Sequence, residues 1–144
     1  MSTIREILSN KGDKVLTISG RSSVLEAIGV MSEANVGAIV VQDGERPDGI
    51  FTERDYLRKI ALMGLSSKNT PVSEVMSSPL ITVELSDDTR HAMATMTERR
   101  CRHLIVVSGG KMVGIVSLGD LVKHMLQEKE AEVEQLSSYI SGNY

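Results

Sequence analysis

Tryptophan is absent from the 144 residues, and aromatic side chains make up only 3%. That scarcity argues against base-stacking platforms for single-stranded nucleic acid. It also means that a bound purine would have to lie between aliphatic side chains. There is one cysteine, Cys101, so no intramolecular disulfide can form and a reducing, cytoplasmic setting is expected. No apolar run approaches the roughly 20 residues that a membrane span needs. The opening MSTIREILSN is short, charged and amphipathic, unlike a signal peptide. A net charge of −3 argues against a nucleic-acid surface, because phosphate contacts rest on accumulated Lys and Arg. His91, His103 and His124 are not at metal-ligand spacings, so no metal site is expected. Neither a Walker loop nor a GxGxxG turn is present. Cys101 lies near His103, but sequence places no acid beside them, and an inert thiol is the expectation.

What is present is a duplication. Residues 37–55 (GAIVVQDGERPDGIFTERD) and 102–120 (RHLIVVSGGKMVGIVSLGD) are one pattern written twice. Gly49 matches Gly114, Ile50 matches Ile115, Thr52 matches Ser117 and Asp55 matches Asp120, always 65 positions apart. Such a repeat means two copies of one supersecondary unit.

The first copy reads as a strand over 15–18 and a helix over 22–34, with Val24, Ala27, Ile28 and Met31 on one stripe. Ser23 and Glu26 have capping-box spacing. Strands over 38–41 and 49–52 follow, then a helix over 53–63 with Tyr56, Leu57 and Ile60 inward and Gly64 as its C-cap. The second copy repeats this: a strand over 80–83, a helix capped by Asp87 or Asp88, and strands over 104–107 and 113–117. A final helix opens at Leu118 and carries Leu121, Val122, Met125 and Leu126. A weaker echo precedes each unit, Ile4 to Leu8 against Val72 to Met76, at 68 positions rather than 65. The expected fold class is α/β of the α+β type, with two tandem β-α-β-β-α repeats packed about a pseudo-twofold axis. Because a three-stranded sheet with one helical layer cannot cover itself, the halves should pack together. The expected units are 1–68 with the N-terminal segment, 69–128, and a C-terminal helical tail over 129–144. Along that tail Val122, Leu126, Val133, Leu136 and Ile140 form a stripe that its own half cannot bury, and Ser141-Gly142-Asn143 ends it.

With Gly-Ile-Phe-Thr-Glu-Arg-Asp at 49–55 and Gly-Ile-Val-Ser-Leu-Gly-Asp at 114–120, the chain resembles a cystathionine-β-synthase (CBS) domain pair, or Bateman module. The resemblance covers residues 4 to 128. Position 105 is an isoleucine where that family often has proline.

Thr52-x-x-Asp55 and Ser117-x-x-Asp120 have a structural explanation as helix caps. Their recurrence after equivalent strands favours a ligand instead. A carboxylate accepts two hydrogen bonds side by side, which suits ribose hydroxyls, and a helix N-terminus favours a phosphate. The resemblance implies the same assignment: Asp55 and Asp120 on ribose, Thr52 and Ser117 on ribose or phosphate. It also implies adenine between the units, lined by Thr17, Ile18, Gly37, Ala38 and Ile50 in one site. Thr82, Val83, His103, Leu104 and Ile115 would line the other. Arg54 aligns with Gly119, so one copy has a cation for phosphate where the other admits close approach. Arg102-His103 stands where the first copy has Gly37-Ala38.

The expectation is therefore a non-catalytic regulatory module with no required cofactor. It would sense an adenine nucleotide such as AMP, ATP, NAD(H) or S-adenosylmethionine. The resemblance further implies a face-to-face homodimer acting on a protein effector. The alternative is a ligand-free dimeric interaction scaffold.

Overall fold

The computed structural model describes residues 2–141, apart from the side chains of Tyr139 and Ser141. The expected tail end at Gly142-Asn143 lies outside the described residues. Helix α1 (Ile4–Lys11) comes first, its N-terminus capped by the Thr3 hydroxyl and its C-terminus closed at Gly12, whose φ is 97°. Strand β1 (Thr17–Ile18), helix α2 (Val24–Ala34), and strands β2 (Ala38–Val41) and β3 (Gly49–Thr52) follow. Helix α3 (Glu53–Asp55) runs directly into a π-helical stretch, Tyr56–Ala61. After a 3-10 turn at Val72–Glu74 come β4 (Thr82–Glu84), α4 (Thr89–Arg99), β5 (His103–Ser108), β6 (Lys111–Ser117) and α5 (Leu118–Ser141). Both sheets have the same build: a parallel pair, β1-β2 or β4-β5, followed by an antiparallel one, β2-β3 or β5-β6.

The caps form as the residue types dictate. The Ser23 hydroxyl accepts from the Glu26 amide at 3.1 Å. Of the two candidates ahead of α4 it is Asp88 that caps, accepting from the His91 amide at 2.7 Å. Val24, Ala27 and Met31 are buried beneath α2, with Ala92 and Met96 beneath α4.

Two expectations need correction. The first strand of each unit is Thr17–Ile18 and Thr82–Glu84 rather than 15–18 and 80–83, although the carbonyls of Leu16 and Ile81 just ahead still accept from Val40 and Ile105 of the next strand. The helix expected over 53–63 is α-helical only to Asp55, and its later bonds span five residues, Leu62 N–H to Leu57 C=O and Leu65 N–H to Ile60 C=O. That wider turn keeps Ile60 buried and leaves Leu57 60% exposed instead of inward. Along α5, as expected for a stripe its own half cannot bury, Val122, Leu126, Val133, Leu136 and Ile140 are exposed; Met125 is exposed too, and Leu121 is the one buried residue among the described side chains.

The two cores are completed by exchange. Ile4, Ile7 and Leu8 of α1 pack with Val83, Ala92, Leu104, Val116 and Leu121 of the second unit. Val72 and Val75, just upstream of that unit, pack with Val24, Ile39, Phe51 and Ile60 of the first. The echo at Ile4 to Leu8 and Val72 to Met76 is therefore a pair of crossing segments, each covering the other repeat. The matched glycines mark where the crossings pass. A Cβ at Gly49 would come 2.6 Å from the Met76 sulfur and 2.9 Å from the Ser77 carbonyl. One at Gly114 would come 2.8 Å from a Leu8 methyl. No side chain fits at either place.

Because Ile4 is fully buried in the other repeat's core, Ile4→Ala is expected to cost about 2–5 kcal/mol. Urea denaturation followed by circular dichroism measures it, and a loss below about 1 kcal/mol would contradict this packing.

Candidate functional site

The β3–α3 junction is built by a reciprocal cap. Thr52 is extended (φ −123°, ψ 166°) and ends the strand. Its hydroxyl accepts from the Asp55 amide at 3.2 Å, and Asp55 Oδ2 accepts from the Thr52 amide at 3.0 Å. The Thr52 hydroxyl also donates to Oδ2 at 3.1 Å. On the other oxygen, Oδ1, the Ser77 hydroxyl donates at 2.7 Å and Lys59 Nζ stands 3.2 Å away. Asp55 is consequently buried, with 6% of its surface exposed.

The second copy repeats the cap with different company. Asp120 Oδ2 accepts from the Ser117 amide at 2.8 Å, and the Ser117 hydroxyl accepts from the Asp120 amide at 3.1 Å. The counterparts of Ser77 and Lys59 are Ser9 and His124, and neither is among the hydrogen-bond or ion-pair partners of Asp120. Lys11, from α1, puts its ammonium 2.5 Å from Asp120 Oδ2. Burial alone would push the Asp120 carboxyl up, but the Lys11 ammonium and the Ser117 amide and hydroxyl outweigh it and hold the group below the usual carboxylate range. The helix-cap explanation of Ser/Thr-x-x-Asp is thus realised in both copies.

Each acid borders a cavity. That beside Asp55 has a volume of about 680 Å³ and draws on both units. Gly37, Ile50, Thr52, Arg54 and Asp55 come from the first, Arg102, His103 and Ile105 from the second. The Asp120 cavity is smaller, about 400 Å³, between α1 and α5, with Lys11, Lys123 and His124 along it. The 65-residue spacing equates Asp120, Lys123 and His124 with Asp55, Arg58 and Lys59, all three of which border the larger cleft.

Of the residues expected to line the first site, Gly37 and Ile50 border the larger cleft and Thr17, Ile18 and Ala38 do not. Of those expected at the second site, His103 borders the larger cleft instead, while Thr82, Val83, Leu104, Ile115 and Ser117 border neither that cleft nor the Asp120 cavity. Val83 and Leu104 point into the second core, and Ala38 is 6% exposed. Their places are taken by Ser77, Pro79, Leu80 and Ile81, which sequence reasoning passed over. Ser77 pairs with Ile50 by two backbone hydrogen bonds, 3.0 and 2.7 Å, and so carries the segment ahead of β4 across β3. The signal was the echo at Val72 to Met76, whose crossing brings residues 77–81 behind it. Arg58 and Lys59 also line the cleft and were not singled out by sequence; Arg99 and Arg100 line it with Arg102, a run that sequence reads equally as a solvated helix C-terminus or as a phosphate contact.

Arg54 is tied rather than free, since Nη1 donates to the Arg100 carbonyl at 2.7 Å. Gly119, its counterpart, is exposed and meets only the Ser117 hydroxyl, at 3.6 Å from an added Cβ. His103 reaches over Gly37, its Cε1 3.7 Å from where a Cβ would sit. Burial pushes its imidazole below the ordinary value of 6.5, and Lys11 lowers it further, while Asp120 and Glu53 pull upward. His103 thus feels charges of both cavities at once. The Cys101 thiol is pushed up by burial and stays protonated.

Residues 4–62 and 72–127 match the CBS domain family. The chain belongs to that family as a tandem pair. It is 40% identical over 152 residues to the CBS domain-containing protein CBSX3, mitochondrial, of Arabidopsis thaliana, covering 99% of this chain and 74% of that one. The structure of a putative signal-transduction protein with CBS domains from Burkholderia ambifaria superposes with a TM-score of 0.84 at 43% identity. That match covers 88% of this CBS pair and 95% of the other chain. A CBS domain protein from Pyrobaculum aerophilum, complexed with AMP, matches at a TM-score of 0.72 and 27% identity, over 82% of this chain and 88% of that one. None of the helices, among the described residues, is long and apolar enough to cross a membrane.

The depressed His103 value carries a pH dependence. The unfolded chain binds this proton more tightly than the folded one, so stability is complete above about pH 6.5 and falls as pH drops through the folded pKa. Thermal melts between about pH 5 and 7 should decline on the acid side, and His103→Gln should flatten that decline. An unchanged acid limb in the variant would assign it to other groups.

Proposed function

We propose that this CBS pair is a non-catalytic regulatory sensor that binds an adenine nucleotide in the Asp55 cleft. The observation that carries the proposal is the cleft itself: it spans both repeats and places a buried carboxylate beside a helix N-terminus. Ribose hydroxyls would replace the Ser77 and Lys59 contacts on Asp55 Oδ1, while Oδ2 keeps the cap intact. Adenine would lie against Ile50, Leu80 and Ile81, aliphatic surfaces that suit a chain almost without aromatics. The Pyrobaculum relative, complexed with AMP, supports the ligand class. Binding would act by favouring one of two arrangements of the repeats, and a protein effector would read the result. The lone cysteine fits action in a reducing compartment such as the cytoplasm.

A thermal-shift screen with AMP, ATP, NAD(H) and S-adenosylmethionine tests the class, because a ligand of the folded state raises the melting temperature. Asp55→Asn should weaken the best ligand by about 1.5–3 kcal/mol in calorimetry, the range for hydrogen bonds to charged groups. Equal affinity of mutant and parent would remove the ribose assignment.

A ligand-free scaffold is the second reading, favoured by one observation: both acids already satisfy their own backbone amides. Either reading includes a homodimer. Leu57 and Val122, matched by the repeat, are 60% and 40% exposed, and Met63 and Met125 are exposed as well, large apolar side chains that suit a protein contact. Sedimentation equilibrium should return twice the chain mass, and a monomer at micromolar concentration would refute it.

A further inference from the structure

We propose that the ligand of this CBS pair carries two or more phosphates and binds at one site per chain, the Asp55 cleft. The inference rests on the nucleotide reading above and specifies it.

Six cations line the cleft, Arg54, Arg58, Lys59, Arg99, Arg100 and Arg102, against two carboxylates, Glu53 and Asp55. Lys59 already pairs with Asp55, so five guanidinium groups face one remaining acid. Ordinary surface electrostatics accounts for part of this, since cations are favoured at a helix C-terminus such as that of α4. It does not account for Arg54, which sits in the first turn after Thr52, the end where a helix disfavours cations. Nor does it account for Arg102, which lies beyond α4 altogether.

Arg100 adds an independent observation. It occupies the left-handed C-cap of α4 with φ 52°, a conformation that glycine and asparagine tolerate and other residues resist. The equivalent position in the first repeat, 65 residues earlier, has the same conformation (φ 55°) and is Asn35. The second repeat thus keeps an arginine where its own copy uses the residue the backbone prefers. Arg54 donates to the carbonyl of this same residue at 2.7 Å, which joins the two guanidinium-bearing segments across the cleft mouth. Planar guanidinium groups bind phosphate oxygens in pairs, and more of them converge here than one phosphate can occupy.

The Asp120 cavity is the counter-example in the same chain. It is smaller, about 400 Å³, and has no arginine along it. Its carboxylate is held by Lys11 at 2.5 Å. That ammonium comes from α1, which Ile4, Ile7 and Leu8 anchor in the core, and it sits on the oxygen the cap already uses.

Isothermal titration of the full chain with adenosine, AMP, ADP and ATP decides the matter. Affinity is expected to rise with phosphate number, by about tenfold or more from AMP to ATP, as one or more charge-assisted contacts are added. The stoichiometry should be one per chain. Arg100→Gly should fold at least as stably as the parent, because glycine adopts positive φ without strain, yet lose several-fold in ATP affinity and little for AMP. Equal or tighter binding of AMP, two ligands per chain, or an unchanged ATP affinity in Arg100→Gly would each overturn the inference while leaving the nucleotide reading standing. Absence of binding by all four, and by NAD(H) and S-adenosylmethionine in the thermal-shift screen, would instead remove the nucleotide reading itself.

Discussion

The reciprocal exchange of two short segments holds this molecule together. Each repeat's core takes buried apolar side chains from outside that repeat. Ile4, Ile7 and Leu8 close the second core, and Val72 and Val75 close the first. The chain therefore crosses between the repeats twice, and each crossing passes over a glycine, 49 or 114, where no Cβ fits. Burial of these few aliphatic side chains, each worth about 1.5–3 kcal/mol by area, couples the stability of one repeat to that of the other. It also sets where the clefts lie, because the residues next to each crossing, Lys11 on one side and Ser77 to Ile81 on the other, become cavity walls.

The same cap chemistry then yields two unlike sites. Thr52 with Asp55, and Ser117 with Asp120, satisfy the first amides of the helices that follow. The geometry is nearly identical, so the difference between the sites comes from what the crossing segments bring. At Asp55 it is a serine hydroxyl, next to a lysine from the following helical turn, on an oxygen the cap does not use. At Asp120 it is a lysine on the oxygen the cap does use. His103, on β5 and opposite Gly37, stands between these environments and responds to charges of both. The two copies thus differ in the groups around their carboxylates while sharing one backbone pattern.

The fold was legible because periodicity and caps are local. The alternation of apolar runs, the Ser23 and Asp88 caps and the glycine turns all depend on residues within a few positions of one another. The π-helical stretch at Tyr56–Ala61 was not legible, because a sequence that suits an α-helix also suits the wider turn once Ile60 must reach the core. Within the site, Thr52, Asp55, Gly37, Ile50, Arg54, Arg102 and His103 do border the larger cleft. Thr17 and Ile18, expected at that site, do not, and the segment ahead of β4 forms the wall there.

From sequence alone came the two-fold repeat, its element order and the pairing of a hydroxyl with a carboxylate ahead of two helices, all written within single stretches of chain. Tertiary structure alone decided which repeat each upstream segment covers, which lysine reaches which carboxylate, and that arginines from both repeats converge on a single cleft. Apart from the Lys59–Asp55 pair, those contacts join residues far apart in the chain, 46 positions for Arg54 with Arg100 and 109 for Lys11 with Asp120, and only the folded chain brings them within reach of one another.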